Sequence, residues 1–415
     1  LYYLIKEISM SKEENRKNFS KYVSQNILGM IGFSCYVLAD SYFISIAKGA
    51  DGLTALNLVM PLYSIIFSIG EMIGVGSAIR YAISKIKKDA DADDYFWNAL
   101  IWCILSSMIF VFAGIFFSAD IMRVLGADEH IVAVGNNYTK IFMCFAPMFM
   151  CNYVTNAFVR NDGAPGIAMS ATLFSSLFNI VFDYILMFPM NLGMEGAALA
   201  TALSPIIGMG ICSIHFFSKK SSVRLVVCKP SVRKLVAGSQ LGVSAFVGEM
   251  SSAVITLAFN FVILKLAGNV GVAAYGVVAN IAIVTTAVFN GVAQGSQPLI
   301  SSCFGRGDKD GCTQLKRMGY TTAFVLAAVM YSILFIFAGQ FVAVFNSEGS
   351  EMLRLYATEG VKLYFIGIFF AGINIVGGSA FSATEDAFKA AVVSVARGFV
   401  LILGAVFVMS ALFGM

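Results

Sequence analysis

The sequence predicts an all-α, polytopic membrane protein made of two like lobes. Three observations carry that reading. The 415 residues are 58% hydrophobic and only 13% charged, against about 25% charge in soluble domains, and the mean hydropathy is +0.81. Apolar runs of 20 or more residues follow one another along nearly the whole chain, each long enough to cross about 30 Å of hydrocarbon as a helix. The alternation in segments of about 10 residues that marks a membrane β-barrel does not occur.

Eleven spans are expected, at roughly 20–46, 54–84, 95–118, 131–158, 166–188, 194–217, 235–264, 271–303, 318–342, 355–382 and 387–413. The first holds an acid in mid-run, Asp40 within Val37-Leu38-Ala39-Asp40-Ser41-Tyr42-Phe43-Ile44-Ser45. The second opens on Asn57-Leu58-Val59-Met60-Pro61 and carries Glu71 between Gly70 and Gly74-x-Gly76; Arg80, farther on, is expected to snorkel towards the cytoplasm. Short loops lead through the third and fourth spans. The fifth follows Arg160-Asn161-Asp162-Gly163 and carries Asn179 and Asp183, and the sixth contains Gly196-Ala197-Ala198-Leu199-Ala200-Thr201. The longest polar connection, Ser218 to Lys234, comes next. It divides the chain into an N-terminal lobe (1–217), a cytoplasmic linker (218–234) and a C-terminal lobe (235–415). The seventh span carries Glu249, and the last four repeat the pattern of long run and short loop.

Basic residues orient the chain. With the N-terminus inside, inward segments hold twenty Lys and Arg, Arg160 among them, and outward loops only Lys48, Arg123, Lys265 and Arg354. That asymmetry predicts a cytoplasmic N-terminus in a plasma membrane. No secretory signal precedes the first span; the chain begins with Leu1, and Met10 is a candidate start.

An internal repeat is present. Gly49, Gly52, Ala55, Gly76, Ser77, Asp89 and Asp91 recur 219 residues later as Gly268, Gly271, Ala274, Gly295, Ser296, Asp308 and Asp310. Lys140 and Asn152 match Lys362 and Asn374 at an offset of 222, and Gly193-Met194 matches Gly414-Met415 at 221. Six helices separate the copies, so the lobes run parallel, related by an axis along the membrane normal. The second copy stops where the first enters its sixth helix, so a twelfth span is expected beyond the present C-terminus.

The intramembrane acids suggest chemistry. An ionised carboxylate at mid-bilayer costs at least about 2.5–3.5 kcal/mol and normally faces a cavity or a partner. Asn179 and Asp183 are four apart, on one helix face, as are Ala197 and Thr201 in the next span. Asp40, Asn179, Asp183, Thr201 and the Ala197 carbonyl would together offer hard oxygen donors suited to Na+. Two neighbouring carboxylates in a low dielectric cannot both stay ionised cheaply, so a cation or a proton is expected between them. Asp40 falls opposite Phe259 in the repeat, and Asp183 opposite Gly404, Ala405 or Val406. The acids thus belong to the first lobe alone, as coupling chemistry would and a shared packing motif would not. Candidate cavity and substrate contacts are Phe33, Tyr36, Glu71, Tyr138, Asn152, Asn156, Glu249 and Asn260.

Leu38-Ala39-Asp40-Ser41 followed by Gly49, Asn57-Leu58-Val59-Met60-Pro61, Arg160-Asn161-Asp162-Gly163, Asn179-Ile180-Val181-Phe182-Asp183 and Leu192-Gly193-Met194-Glu195-Gly196, in that order and over about residues 17–415, resemble the multidrug and toxic-compound extrusion (MATE) transporters, in their prokaryotic DinF-like and MepA-like branch. The resemblance implies two six-helix bundles around a central cavity, here without the last helix. It further implies export of organic, often cationic, compounds in exchange for Na+ or H+, with the Asp40 cluster as the cation site. The chain departs from many relatives where Gly242-Val243-Ser244 lacks a proline, and Glu249 sits nearer its helix start than the acid of another branch.

Other classes fit less well. Eight scattered cysteines form no metal or disulfide spacing, and two histidines, His130 and His215, do not make a metal centre. No Gly-x-Ser-x-Gly, His-Glu-x-x-His or phosphate-cradling Walker loop occurs, so neither a hydrolase nor an ATP-driven pump is expected. The alternative transporter is a lipid-linked saccharide flippase of the same superfamily, which needs a basic cavity; Arg80, Lys140, Lys362 and Arg397 lie near expected helix ends. The expected partners are small organic molecules and the lipid bilayer, with no nucleic acid, no cofactor beyond the coupling ion, and a monomeric state.

Overall fold

The computed structural model describes residues 12–345 and 350–413, which form helices and turns with no strand among the described residues. Inside a bilayer the backbone has only itself to bond to, so each apolar run closes into a helix. In chain order these are α1 (Lys12–Gly49), α2 (Asp51–Ile86), α3 (Asp94–Val124), α4 (Glu129–Cys144), α5 (Ala146–Asn161), α6 (Pro165–Met187) and α7 (Gly193–Phe216). There follow α8 (Val232–Gly268), α9 (Val270–Gly305), α10 (Lys309–Ile336), α11 (Ala338–Phe345) and α12 (Glu351–Ser382). The last, α13, runs Ala387–Val395, opens into a π turn over Ala396–Leu401 and continues as Ile402–Phe413.

Ten described helices are long and apolar enough to span a bilayer, and the bent pair α4–α5 makes an eleventh span. The bend is 46°; Pro147, near the start of α5, has no N–H to carry the helical ladder through. α10 begins at Lys309, before the expected 318, because the Asp308 carboxylate accepts from Gly311 N at 2.8 Å and caps it. The tail of that expected span is the separate helix α11.

Single glycines join α1 to α2 and α8 to α9. Gly49 (φ 59, ψ −142) and Gly268 (φ 63, ψ −159) adopt a backbone that a residue with a Cβ would strain to reach. They are repeat mates, so the same elbow is built once in each lobe.

Apolar side chains gather in two cores. One contains Ile44, Leu56, Tyr138, Phe142 and Phe158, and the other Tyr275, Phe289, Ile300, Leu315 and Val376. Phe19 and Val23 belong to the second core, so α1 starts against the second lobe and ends in the first.

Spans alternate in direction, which brings the starts of α1, α6, α8 and α10 and the ends of α2, α5, α7 and α9 to one face, the N-terminal face. The lobes meet over the half nearer to it. A Cβ on Gly76 would stand 2.1 Å from the Gly238 carbonyl oxygen, and one on Gly295 2.7 Å from the Val23 Cα. These glycines are also repeat mates, each seating the first helix of the opposite lobe against bare backbone. Polar bonds reinforce the seam. Arg80 pairs with Glu385, in the α12–α13 turn of the other lobe at that face, and donates to the Ala237 carbonyl at 3.4 Å, its side chain still 24% exposed. Asn15 Nδ2 donates to Gln314 Oε1 at 3.3 Å.

Candidate functional site

Three helices of the first lobe bring the acid cluster together. α1 supplies Asp40, 7% exposed; α6 supplies Asn179 and Asp183, both 0%; α7 supplies Ala197, 0%, and Thr201, 3%. α7 can come this close because it presents small residues: a Cβ on Gly196 would stand 2.8 Å from the Leu186 carbonyl carbon. The Asp40 and Asp183 carboxyl groups face each other within hydrogen-bonding reach. Asn179 Nδ2 donates to Thr201 Oγ1 at 3.1 Å, tying α6 to α7.

No protein donor reaches the oxygens left over. Asp40 Oδ1, both Asp183 oxygens and Asn179 Oδ1 are buried without one. Buried polar atoms are almost always partnered; a proton or a small cation would satisfy these four oxygens around two opposed carboxylates. No trio of His, Cys, Asp or Glu converges on one point among the described residues. The donor set is thus two carboxylates with neutral amide and hydroxyl oxygens, which suits a hard monovalent cation better than a transition metal.

Two details refine the sequence-based expectation. The Ala197 carbonyl lies within the unbroken helix α7, where the Thr201 N–H is its ordinary partner. Pro205, also inside α7, has no N–H to give, so it is the Thr201 carbonyl that loses its helical donor. The proline four residues after Thr201 is the signal for it. Beside the acids, the Tyr63 and Tyr138 hydroxyls bond to each other, within electrostatic reach of both Asp40 and Asp183. Tyr63 stacks on Phe142 with ring centroids 3.6 Å apart. Tyr138, expected as a substrate contact, is fully buried and walls the acid cluster.

A second, separate space lies between the lobes. This cavity of about 120 Å³ is lined by Glu71 of α2, Ser244 and Glu249 of α8, Asn290 and Gln294 of α9, and Arg397 of α13, among others. Of the expected cavity residues, Glu71 and Glu249 line it, whereas Phe33, Tyr36, Tyr138, Asn152, Asn156 and Asn260 do not. Phe33 and Tyr36 pack edge to face at 5.0 Å. Tyr36 lies within electrostatic reach of Asp40, Asp183 and Glu249. Asn156 Nδ2 donates to the Ala168 carbonyl and to Thr172 Oγ1, each at 3.2 Å. Asn152 Oδ1 is buried without a donor, and Asn260 is half-buried on α8.

Residues 160–163 prove to be a junction. Arg160, counted as a loop residue from sequence, is only 4% exposed. Its Nη1 donates to Gln294 Oε1 at 2.6 Å in the other lobe, and to Asn156 and Asn26 at 3.4 and 3.5 Å. Asn161 and Gln297 exchange amide bonds across the same seam at 3.3 and 3.0 Å. Asp162 accepts from Ser222 N at 2.9 Å, from Ser221 Oγ and Tyr81 Oη at 3.2 Å, and lies 2.7 Å from His215 Nε2. It therefore pins the linker to the first lobe. Gly163 takes φ +86, which turns the chain into α6.

Comparison with known proteins agrees with this architecture. The MatE family model matches residues 26–185 and 245–409. The chain is similar to the multidrug export protein MepA of Staphylococcus aureus (strain MRSA252), with 27% identity over 401 residues covering 94% of this chain and 86% of that protein. The MepA protein of Staphylococcus saprophyticus is 25% identical over 392 residues, with the same coverage. Among solved structures, an outward-facing multidrug resistance MATE family transporter of the MOP superfamily superposes with a TM-score of 0.90 at 20% identity, covering 97% of this chain and 90% of that one. A MOP superfamily transporter from Pyrococcus furiosus, reported with a binding pocket of reversed polarity, gives 0.89 at 20% identity, over 96% and 89% of the two chains.

Proposed function

Because this chain belongs to the MatE family, we propose that it is an integral membrane exporter of small organic compounds, driven by exchange for Na+ or H+. The observation that carries the reading is the meeting of Asp40 and Asp183, carboxyl to carboxyl, with no protein donor for Asp40 Oδ1 or for either Asp183 oxygen. A bound cation or proton satisfies those oxygens, and its loss leaves two like charges that push α1 away from α6. α1 begins against the second lobe, so a shift in its outer half is transmitted to the seam. The ion biases the arrangement of the lobes by its differential affinity for the two states, and transport follows as the lobes rock about the cavity between them. With the N-terminus cytoplasmic, the seam described above closes the cytoplasmic side.

The flippase alternative needs a basic cavity. Arg160 is buried but already bonded to three side-chain amide oxygens, and Arg397 shares its cavity with two acids. The balance favours export of compounds that are not polyanionic.

The test is dye efflux from reconstituted vesicles, with sodium and proton gradients imposed separately. Asp40→Asn and Asp183→Asn should each abolish the gradient-driven component while the protein still inserts and folds. Gradient-driven efflux persisting in either variant refutes the assignment.

A further inference from the structure

The linker between the lobes carries a surface that export does not use. From Ser218 to Lys234 it holds six basic residues and no acid. Lys234 is taken by Asp94 and Asp91, and Lys85 holds Asp93. Lys219, Lys220, Arg224, Lys229 and Arg233 are exposed, and none has a carboxylate within 4.0 Å among the described residues. Apolar side chains stand out in the same stretch. Val223 is buried in the first core, but Leu225, Val226 and Val227 are 49, 42 and 76% exposed.

Hydrogen bonds fix the height of this segment. Asp93 Oδ1 accepts from Arg224 N at 3.2 Å. Asn98, one turn into α3, accepts from Ser231 N at 2.6 Å and donates to Cys228 Sγ at 3.0 Å. The linker thus lies along the first turns of α3, where the chain's two tryptophans, Trp97 and Trp102, also stand. Tryptophan collects where a helix passes from headgroups into hydrocarbon. Farther along α3, Ile109, Phe112 and Phe116 are exposed, so this helix borders lipid.

We propose that segment 219–233 binds anionic phospholipids of the leaflet at the N-terminal face. Its basic side chains meet the headgroup phosphates, and Leu225-Val226-Val227 enters among the upper acyl chains. Five unanswered cations at an interface favour anionic headgroups over zwitterionic ones. The apolar trio adds a burial that a soluble polyanion does not offer. Asp162, Asp93 and Asn98 all belong to the first lobe, so the lipids are held to that lobe.

Trp97 and Trp102 supply a reporter beside the linker without any label. The full chain is reconstituted in mixed phosphatidylcholine and phosphatidylglycerol bilayers, with bromine on the acyl chains of one lipid or the other. Quenching of tryptophan fluorescence then gives the relative binding constant of the two lipids. Phosphatidylglycerol should be preferred about 5-fold, the factor for one basic residue near the surface. Lys219→Gln, Lys220→Gln, Arg224→Gln, Lys229→Gln and Arg233→Gln together should remove that preference, and rising salt should weaken it. Leu225→Ser with Val227→Ser should lower it without removing it. Lys309→Gln with Arg317→Gln, at exposed positions of α10 on the same face, should leave it unchanged. No preference in the unaltered chain, or one that survives the five substitutions, overturns the proposal. So does an equal loss in the α10 pair, which would make the effect one of overall face charge. Absence of a preference together with binding of a polyglutamate peptide would assign the segment to an acidic soluble partner instead.

Discussion

Arg160 Nη1 donates to Gln294 Oε1 at 2.6 Å, and that bond crosses from the first lobe to the second. The arginine is buried, and each of its three amide-oxygen partners would lose a charged donor with it. Arg160→Met should therefore destabilise the protein by about 1.5–3 kcal/mol, the value of a hydrogen bond to a charged group. Arg160→Lys should restore little, lacking the fork. Thermal unfolding in detergent measures both, and an unchanged melting temperature in Arg160→Met removes this bond from the account of the seam.

The Asp40–Asp183 pair predicts a stability response to its counter-ion. Sodium, or acid if protons couple, should raise the melting temperature of the unaltered chain. A ligand at about 100 times its Kd adds about 2.7 kcal/mol. Asp40→Asn and Asp183→Asn should each lose that response, since each removes one of the two carboxylates. A response of equal size in both variants counts against the site.

Asn179 and Thr201 predict a smaller, purely local effect. Thr201→Val keeps the shape but leaves Asn179 Nδ2 buried without its 3.1 Å acceptor. The expected cost is about 1–3 kcal/mol. Thr201→Ser keeps the hydroxyl and should stay near the original stability. Equal losses in the two variants would locate the effect in packing.

Gly76 and Gly295 predict what closes the lobes. A methyl on Gly76 meets the Gly238 carbonyl, and one on Gly295 meets the Val23 backbone, neither of which can move aside as a side chain tip could. Gly76→Ala and Gly295→Ala should each cost about 1–3 kcal/mol of lobe contact. In a background without the eight native cysteines, a thiol at position 297 should become more reactive to a water-soluble maleimide in either variant. Unaltered reactivity would mean that the seam tolerates the methyl.

Asp162 predicts a loosened linker. Its carboxylate holds Ser221 and Ser222, so Asp162→Ala should open segment 218–231 to limited proteolysis while the helices stay resistant. A digestion pattern identical to that of the unaltered chain would show that the linker is held elsewhere.

Much of the fold was legible because its causes are local. Run length determines a span, a glycine at φ 59 or 63 determines an elbow, and the matching elbows explain the offset of 219 seen in the sequence. The site was legible in part. The spacing of Asn179 and Asp183 places them on one helix face, but spacing says nothing about Asp40 coming to meet them from α1. Asp308 and Pro147 left readable signs of where α10 starts and α4–α5 bends; Arg160 left none that it would be buried.

The sequence by itself thus determined the class, the spans, the two-fold repeat and the presence of unshared acids in the first lobe. Tertiary structure alone decided which helix faces meet protein and which meet lipid. Phe142 is 1% exposed and Phe116 63%, though both lie in expected spans. Hydropathy cannot separate them, because lipid tails and a protein core are alike to a phenylalanine. Only the packing of small residues and the pairing of polar ones sets a helix's rotation. That rotation is what walled Tyr138 in beside the acids, drew Arg160 into the seam and turned Arg397 to the cavity.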